Sequence, residues 1–535
     1  MRKTILQCVV ALVSGFLLAS LWAPFNQMGN VWFALVPLLL LLRQALTLRR
    51  AFLLGWLTGF VSWGIQLFWM LSLTENGGPW PLVIPAWVGL SAVLALYFAL
   101  FALLCAFLRQ KVVQGQGVLR IAAVVLLEPA LWAGIECLRG TLLTGFAWNP
   151  LGLATVSLLP VSQLAAWGGA VAVSALVVAV NGAVTSLVER IWRNLTYRAP
   201  VTCKEKLCLS LECVLPFMVL LVLFFAGYTR MECYASLPKE KEATVIVERT
   251  DNPSIFEMKQ GKYRSVWQQG EEIADLVAFF KADLWVWPES AVVECVFPEQ
   301  RYQWSLAALA RKAEVPLFVG GLYATADGGL YNAAMLFTKD GLDQRQVYGK
   351  RHLVPFGEYI PFDKSFPWLQ QFVPCGHTCE PGKEVEVVTT PSGLRVGPLI
   401  CFEDTVAAVA RASVLAGAEL LVNMSNDAWY AHSSEPQQHA QQAILRCIET
   451  GVPMVRSTNH GVNTVIDATG KSRLMPSTLK AASATAPDLR GGMALVIAAL
   501  AARGVSVIDN VELIKRGYAD LIKKLRLIGA DITEN

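Results

Sequence analysis

Cys401 follows the apolar run 396–400 directly and precedes Glu403 and Asp404, which open the apolar-periodic stretch "TVAAVARASVLAGA". A thiol at a strand end beside a helix N-terminus is expected to be held as thiolate, because the positive helix end favours the anion, and the thiolate is the nucleophile. One cysteine among 12 is by itself weak evidence, since cysteine is often a small buried hydrophobe. Other polar groups occupy corresponding joints. Glu289 closes the run "LWVWP", where burial among Trp285, Trp287 and Pro288 would raise a carboxylate toward a general base; helix capping is its plainer role. Lys350 follows "QVYG" and offers a fixed cation for an oxyanion; a solvated loop charge is its plainer role. The five histidines, His352, His377, His432, His439 and His460, show no metal-ligand spacing and suggest no Cys–His pair. Glu–Lys–Cys chemistry is favoured, with no metal and no cofactor expected.

The stretches that must position these groups alternate β-rich and helical patterns: "EATVIVER", "EEIADLVAFF", "ADLWVWPES", "SLAALARKAE", "PLFVGGLYA", then "RVGPLIC", "ELLVNMSNDAWY", "QQAILRCIETG" and "PMVRSTNHGVNTVID". Strands trading places with helices over 240–475 argue for an α/β layered domain, with chemistry in the loops beyond strand ends.

The rest of the chain is different. With 535 residues, 54% hydrophobic and 16% charged, the sequence is too long for one ordinary domain and too apolar for a soluble one. The apolar excess lies in 1–230, in runs near 5–22, 31–48, 51–73, 83–108, 118–138, 159–188 and 209–228. Most approach the ~20 residues that cross a bilayer core, so the reading is a membrane domain of about seven transmembrane helices, the second weakened by Arg43. Lys and Arg crowd the N-terminus and alternate loops, among them Arg2, Lys3, Arg49, Arg50, Arg109, Lys111, Arg193 and Lys204, whereas the opposite loops hold Arg139 alone. This places the N-terminus in the cytoplasm and, after an odd number of spans, the α/β domain on the far side. A cleaved leader is not expected. A net charge of +4 is too mild to imply nucleic acid. Glu128, Glu136 and Arg139 lie in or near the fifth run and imply either a polar chamber in the bundle or a helix-end ion pair between Glu136 and Arg139.

"WPES" at Glu289, "YGKRHLVPFGEYIP" spanning Lys350 and Glu358, "ICFED" at Cys401 and "NMSNDAWY" together resemble the nitrilase superfamily. "KRHLVPFGEY", with "RAFLLGWLTGFVSWGIQLFW" and "ECLRGTLLTGFAWNPLG" in the membrane half, resembles more narrowly the apolipoprotein N-acyltransferase family, over roughly 5–475. The resemblance implies an α-β-β-α sandwich on a multi-pass helical bundle in a bacterial inner membrane, the catalytic domain periplasmic. It implies transfer of an acyl chain from a phospholipid, through a thioester on Cys401, to the α-amine of a diacylglyceryl-cysteine at an apolipoprotein N-terminus. Glu289 is then the base, Lys350 steadies the oxyanion, Glu358 supports them, and Glu403 is either a further essential acid or a helix cap. Phe402, Trp429 and Glu449 become substrate-side positions. Phe402 replaces the family's usual Tyr, which keeps a ring and loses a hydroxyl, and "VERTDNPSIFEMKQGKY" lacks the family's tryptophan. A membrane-tethered amidase using water, or an inactive hybrid, are the alternative readings.

Cys375 and Cys379 in "VPCGHTCEPG" suggest a local disulfide or two free thiols rather than a metal site. From 476 to 535, "DLR", "IKRGY" and "KLRLIGADI" resemble the C-terminus of UDP-N-acetylglucosamine enolpyruvyl transferase. The acyltransferase family's final strand segment and last membrane helix are expected to be missing, which fits a fusion, a frameshifted gene or an assembly artefact.

Overall fold

The computed structural model describes residues 2–474 apart from 45, 112–117, 198–202, 239–241, 251, 253–265, 326, 362–364, 366–377 and 384–386, and beyond them 483–485, 507–509, 512, 515–516 and 521–522. Cys375, His377 and the segment 253–263 discussed above thus lie outside the described residues. The chain forms two compact units, Met1–Arg473 and Leu474–Asn535.

The apolar half supplies α1 (Arg2–Ala19), α2 (Val36–Leu42), α3 (Leu48–Gln66), α4 (Trp80–Lys111), α5 (Val118–Thr144, with a π turn at Ala123–Leu127), α6 (Ala165–Tyr197) and α7 (Cys203–Ser236). Among the described residues five helices are long and apolar enough to cross a membrane, and α3 with the turn Phe68–Thr74, bent by 45°, makes a sixth. The second run differs from the expectation of a full span: it yields only the shorter apolar stretch Met28–Leu42. The reason is Arg43, which ends α2 and turns into the bundle, where its guanidinium bonds Glu189 Oε2 and Ser186 Oγ (2.9 Å each) and the Gly182 carbonyl. Position compensates for length. Gln7 near the start of α1 donates to Gln44 after α2, at 3.1 Å, while Ala23 beyond the far end of α1 accepts from Gln438 of the α/β part. The stretch from Ala23 to Gln44 therefore runs the length of the bundle. Outward apolar side chains such as Leu12 and Phe16 on α1 and Met218, Val222 and Phe225 on α7 stay exposed, as a lipid-facing surface requires.

The α/β part opens with β1 (Val245–Val247), α8 (Val266–Phe280), β2 (Leu284–Val286), β3 (Val292–Phe297), α9 (Gln300–Ala313), β4 (Leu317–Ala324), β5 (Leu330–Thr338), β6 (Gly341–Leu342) and β7 (Tyr348–Gly349). These strands form one sheet in the order β1-β2-β4-β5-β6, with β3 on β4 and β7 on β5. β8 (Val388–Thr389), β9 (Arg395–Ile400), α10 (Ala407–Leu415), β10 (Leu420–Asn426), α11 (Glu435–Thr450), β11 (Met454–Asn459), β12 (Thr464–Ile466) and β13 (Ser472–Leu474) follow, and their strands form the second sheet, β13-β12-β11-β10-β9-β8.

The two sheets face each other through Val286, Phe318 and Leu336 on one side and Ile400, Val422 and Met424 on the other, all buried. The outer face of the first sheet is covered by α8 and α9 through Val277, Leu306 and Leu309. On the outer face of the second sheet, α10 and α11 share a single core with the apolar helices: Leu399, Val409, Ile444 and Ile448 belong to the same buried cluster as Leu18, Trp22, Trp63 and Trp132. Through that continuity the membrane helices and the sandwich fall within one compact unit. Within the second unit, Ser483–Thr485 and Val507–Asp509 pair as parallel strands.

Candidate active site

Both sheets deliver their polar groups at strand ends. The first contributes Glu289 after β2, Asn332 from β5 and Lys350 after β7; the second contributes Cys401 after β9 and Asn426 closing β10. Gly320 makes the close approach of the Glu289 loop possible, because a Cβ there would meet the Pro288 carbonyl oxygen at 2.6 Å and Glu289 Cα at 2.7 Å.

Lys350 is the electrostatic hub. Its Nζ lies 2.8 Å from Glu358 Oε2 and 3.6 Å from Glu289 Oε1, with its side chain 1% exposed. Asn332 Nδ2 forks between the two carboxylates, donating to Glu289 Oε1 at 2.8 Å and to Glu358 Oε1 at 2.7 Å. The second Glu289 oxygen accepts from the Asn426 amide, and Glu358 Oε2 accepts from the Val354 amide, each at 2.8 Å. Burial opposes a charge on Lys350, but Glu358 and then Glu289 outweigh it and hold the ammonium well above the ordinary lysine range. Burial also pushes Glu289 up, against the pull of Lys350 and with the push of Glu358. Glu358 is pressed up by burial too, yet the Lys350 charge and the bonds from Lys350, Asn332 and Val354 bring it below the usual carboxylate value. Two neighbouring acids thus differ in affinity for a proton, the higher one being the group suited to take and return it.

Cys401 departs from the sequence expectation in its acidity. The helix that follows it is a five-residue 3-10 turn, Cys401–Thr405, and α10 begins only at Ala407, so no aligned helix dipole ends on the sulfur. Desolvation, then the charge of Glu289, push the thiol up to about 12, against the pull of Lys350 and His439. At neutral pH the Cys401 side chain is therefore a neutral thiol. Its backbone sits at φ +52°, in the left-handed region that costs a non-glycine residue ~1–2 kcal/mol. The Cys401 carbonyl is held by Asn423 Nδ2 at 3.0 Å and by His439 Nε2 at 3.3 Å.

Glu403 caps the Cys401 turn and also reaches the Lys350 segment. It is wholly buried and accepts four bonds: from the Ile400 amide (2.8 Å) as a cap of the Cys401 turn, from Tyr348 Oη (2.9 Å), and from the amides of Arg351 (2.7 Å) and His352 (3.1 Å). It therefore ties the segment bearing Cys401 to the segment bearing Lys350, across the two sheets. Phe402 keeps the aromatic role: its ring stacks on Trp148 (6.1 Å, 2° between planes), Phe146 (6.2 Å) and His352 (5.8 Å). Trp148 and Phe146 come from the membrane half, so the aromatic wall at Phe402, next to Cys401 in sequence, is built by both parts of the chain. Trp429 is half-buried and its carbonyl accepts from Asn76 of the membrane half at 2.7 Å, while its neighbour Tyr430 packs edge-on against Trp69. Glu449 is engaged differently from the Lys350 group: it accepts from the Ala170 amide at 2.8 Å, beside the break in α6 at Gly169, and pairs with Arg446.

In the bundle, Glu128 pairs with Arg109. Glu136 accepts from Trp132 Nε1 (2.9 Å) and the Leu151 amide (2.8 Å), whereas Arg139 grips the carbonyls of Phe146 and Trp148 and lies over the Trp63 ring. No Glu136–Arg139 ion pair forms among the described residues; both line a small cavity of about 40 Å³ whose walls are mainly apolar, among them Leu18, Trp22, Phe98 and Ile135, with Ser62, Gln66 and Asn149 as further polar groups. Arg139 aims Trp148, whose Nε1 donates to Gln438 Oε1 at 2.8 Å and whose ring meets Phe402.

Two groups escape the sequence reading. Asn332, inside "LYNAAM", carries no local signal. His439 was given no pairing with a cysteine, yet it reaches the main chain of Cys401, with Nε2 3.1 Å from Asp404 Oδ1 and Nδ1 3.3 Å from Asp427 Oδ1. Burial disfavours its charge, but Asp427 and Glu435 overcome that and raise the imidazole to about 10. Asp404 is also bound by buried Arg456. Asp427, Glu435 and His439 place three ligand atoms within 4.8 Å of one another, the geometry of a cation site. Both His439 ring nitrogens face carboxylates, however, and an imidazolium has no lone pair for a metal.

The comparisons with known proteins cover both halves. The family described as apolipoprotein N-acyltransferase N-terminal domain matches residues 14–183, and carbon-nitrogen hydrolase matches 255–505. A relative from Geobacter metallireducens named apolipoprotein N-acyltransferase is 32% identical over 474 residues, 87% of this chain and 86% of its own. The chain belongs to the apolipoprotein N-acyltransferase family. Relatives of that name from Gloeobacter violaceus (32% identical, 88% of this chain and 86% of its own) and Photobacterium profundum (28%, 86% and 85%) extend over the same two parts. The family's carbon-nitrogen hydrolase part thus carries the Glu289–Lys350–Cys401 group, and its match continues 30 residues past the end at 475 read from the sequence, into the stretch resembling the enolpyruvyl transferase.

Proposed function

We propose that this enzyme moves an acyl chain from a phospholipid to the α-amine of an apolipoprotein's N-terminal diacylglyceryl-cysteine, through a thioester on Cys401. The observation that carries the reading is the aromatic wall: Phe402, next in sequence to Cys401, stacks on Trp148 and Phe146 of the apolar half, so the turn that bears the thiol is built against the part of the chain that meets lipid tails. Keeping both lipid substrates at the membrane avoids drawing an acyl chain into water at ~0.8 kcal/mol per CH₂.

In the first step Glu289 takes the Cys401 proton as sulfur attacks the ester carbonyl. The tetrahedral oxyanion develops against the Lys350 ammonium, and the lysophospholipid alkoxide leaves with the proton returned by Glu289. In the second step the acceptor amine attacks the thioester, gives its proton to Glu289, and releases the Cys401 thiolate, which recovers that proton. Glu358 and Asn332 keep the base and cation in register, and Glu403 holds the two loops together. Water in place of the amine would make the enzyme a hydrolase; the wall of rings favours an amine arriving on a lipid.

The membrane reading has seven crossings, the second being the Ala23–Gln44 stretch, with the N-terminus cytoplasmic and Cys401 on the periplasmic side of the inner membrane. The Lys and Arg asymmetry supports it, as does the path of the chain between the two bundle ends. The test is incubation of the purified full chain with a phospholipid labelled in its acyl chain, followed by addition of a diacylglyceryl-cysteine peptide. Label should appear on the enzyme and then on the peptide, and Cys401→Ser should abolish both. Labelled enzyme in the serine variant, or release of free fatty acid with no labelled peptide, would refute the reading.

A further inference from the structure

At the bundle end remote from Cys401, a cavity of about 690 Å³ lies between the start of α1, the end of α2 and the last turns of α6. Its walls are apolar, formed by Leu6, Val10, Leu41 and Val188, and its polar lining includes Lys3 and Arg193. The acidic group in that lining, Glu189, is already engaged by Arg43 (2.9 Å) and Arg120 (3.0 Å), and Arg120 is bound in turn by buried Glu212 at 2.9 Å. Among the described residues Lys3 and Arg193 have no acidic partner. A space this large with apolar walls is not a water site, since a water occupies ~30 Å³ and needs several polar neighbours.

We infer that this cavity binds an anionic glycerophospholipid, its phosphate between Lys3 and Arg193 and an acyl chain along Leu6, Val10 and Leu41. A headgroup of net negative charge suits the two cations, whereas a zwitterionic one brings an ammonium against them. The lipid is not the acyl donor. Gln7 and Gln44 mark the cavity's end of the bundle and Ala23 marks the end that touches the α/β part, and the 12 residue steps of α1 from Gln7 to Ala19 alone put ~18 Å between them. The site rests on the membrane reading above, and on its orientation it takes lipid from the cytoplasmic leaflet.

The test is native mass spectrometry of the full chain, as Cys401→Ala so that no donor is consumed, titrated with dioleoyl phosphatidylglycerol or dioleoyl phosphatidylcholine. Phosphatidylglycerol should be retained in preference, and Lys3→Gln with Arg193→Gln should weaken that retention roughly 25-fold, two surface cations each contributing about fivefold. Phosphatidylcholine retention should not change. Val10→Phe, which keeps both cations and fills the wall, should also lower phosphatidylglycerol retention, and it serves if the double variant fails to fold. In the chain with Cys401 intact, the Lys3 and Arg193 substitutions should leave thioester formation unaltered. Equal retention of the two lipids, unchanged retention in both variants, or displacement by millimolar glycerol phosphate would overturn the inference. Failure of acyl transfer would not affect these outcomes, because the binding assay runs without the nucleophile.

Discussion

Replacing Glu289 with Gln tests its proposed role as the base. With the thiol pushed up to about 12, only roughly one enzyme in 30,000 carries a thiolate at pH 7.5 without assistance. That ratio is the ceiling on the acylation defect. Removing the Glu289 charge also removes a cause of the raised thiol value, so part of the ceiling is recovered, and the expected loss is about 10³–10⁴-fold, the upper part of the range for general acid–base catalysis. A thiol acidified by a helix would need the base far less, so the size of the loss reports directly on the Cys401 environment. The defect should shrink by about tenfold per pH unit as alkali restores the thiolate. The intact enzyme should behave in the opposite sense at the acid end: Glu289 must be ionised to accept a proton, and because burial raises it above the usual carboxylate value, acylation should fall before ordinary carboxylates titrate. The assay is single-turnover appearance of enzyme-bound label from a labelled phospholipid, between pH 5.5 and 9.5. A loss below tenfold at pH 7.5, or a loss indifferent to pH, would refute the proton-transfer argument and the high thiol value behind it.

Lys350→Met should depress thioester formation and amine transfer together, with no rescue at high pH, since both steps place an oxyanion against the same ammonium; quenched-flow measurement of each half-reaction checks this. Glu403→Gln turns one acceptor oxygen into a donor facing amide N–H groups, and should cost ~1–3 kcal/mol in unfolding measurements in detergent while lowering kcat more than it raises KM. His439→Gln should destabilise the protein most at acidic pH: the folded imidazole titrates at about 10 against an ordinary 6.5, so its contribution is fully present below about 6.5 and fades as pH rises through 10. Thermal unfolding of both proteins at pH 6, 8 and 10 should therefore show a gap that narrows with pH, and a widening gap would contradict the Asp427–His439–Asp404 arrangement.

What the sequence by itself determined about this protein is local in origin. Apolar runs of bilayer length, the asymmetry of Lys and Arg between loops, and the alternation of strand and helix periods are properties of neighbouring residues. They were enough to expect a helical bundle and an α/β layered domain, and to put Glu289, Lys350 and Cys401 at strand ends; the sandwich itself was what the family resemblance implied. Tertiary structure decided what those groups are. Cys401 looked acidified because "EDTVAAVARA" reads as a helix continuing from the cysteine, but Cys401–Thr405 form a 3-10 turn, and burial with Glu289 sets the thiol high instead. Asn332, 43 residues from Glu289 in sequence, bridges the two carboxylates, and Trp148, 290 residues from Gln438, brings the bundle to the aromatic wall at Phe402. Arg43 looked like a flaw in the second apolar run until Glu189, 146 residues away, supplied its partner. Burial, charge and hydrogen bonding depend on which distant segments share a volume, and residue spacing holds no record of that until the sheets and helices have packed.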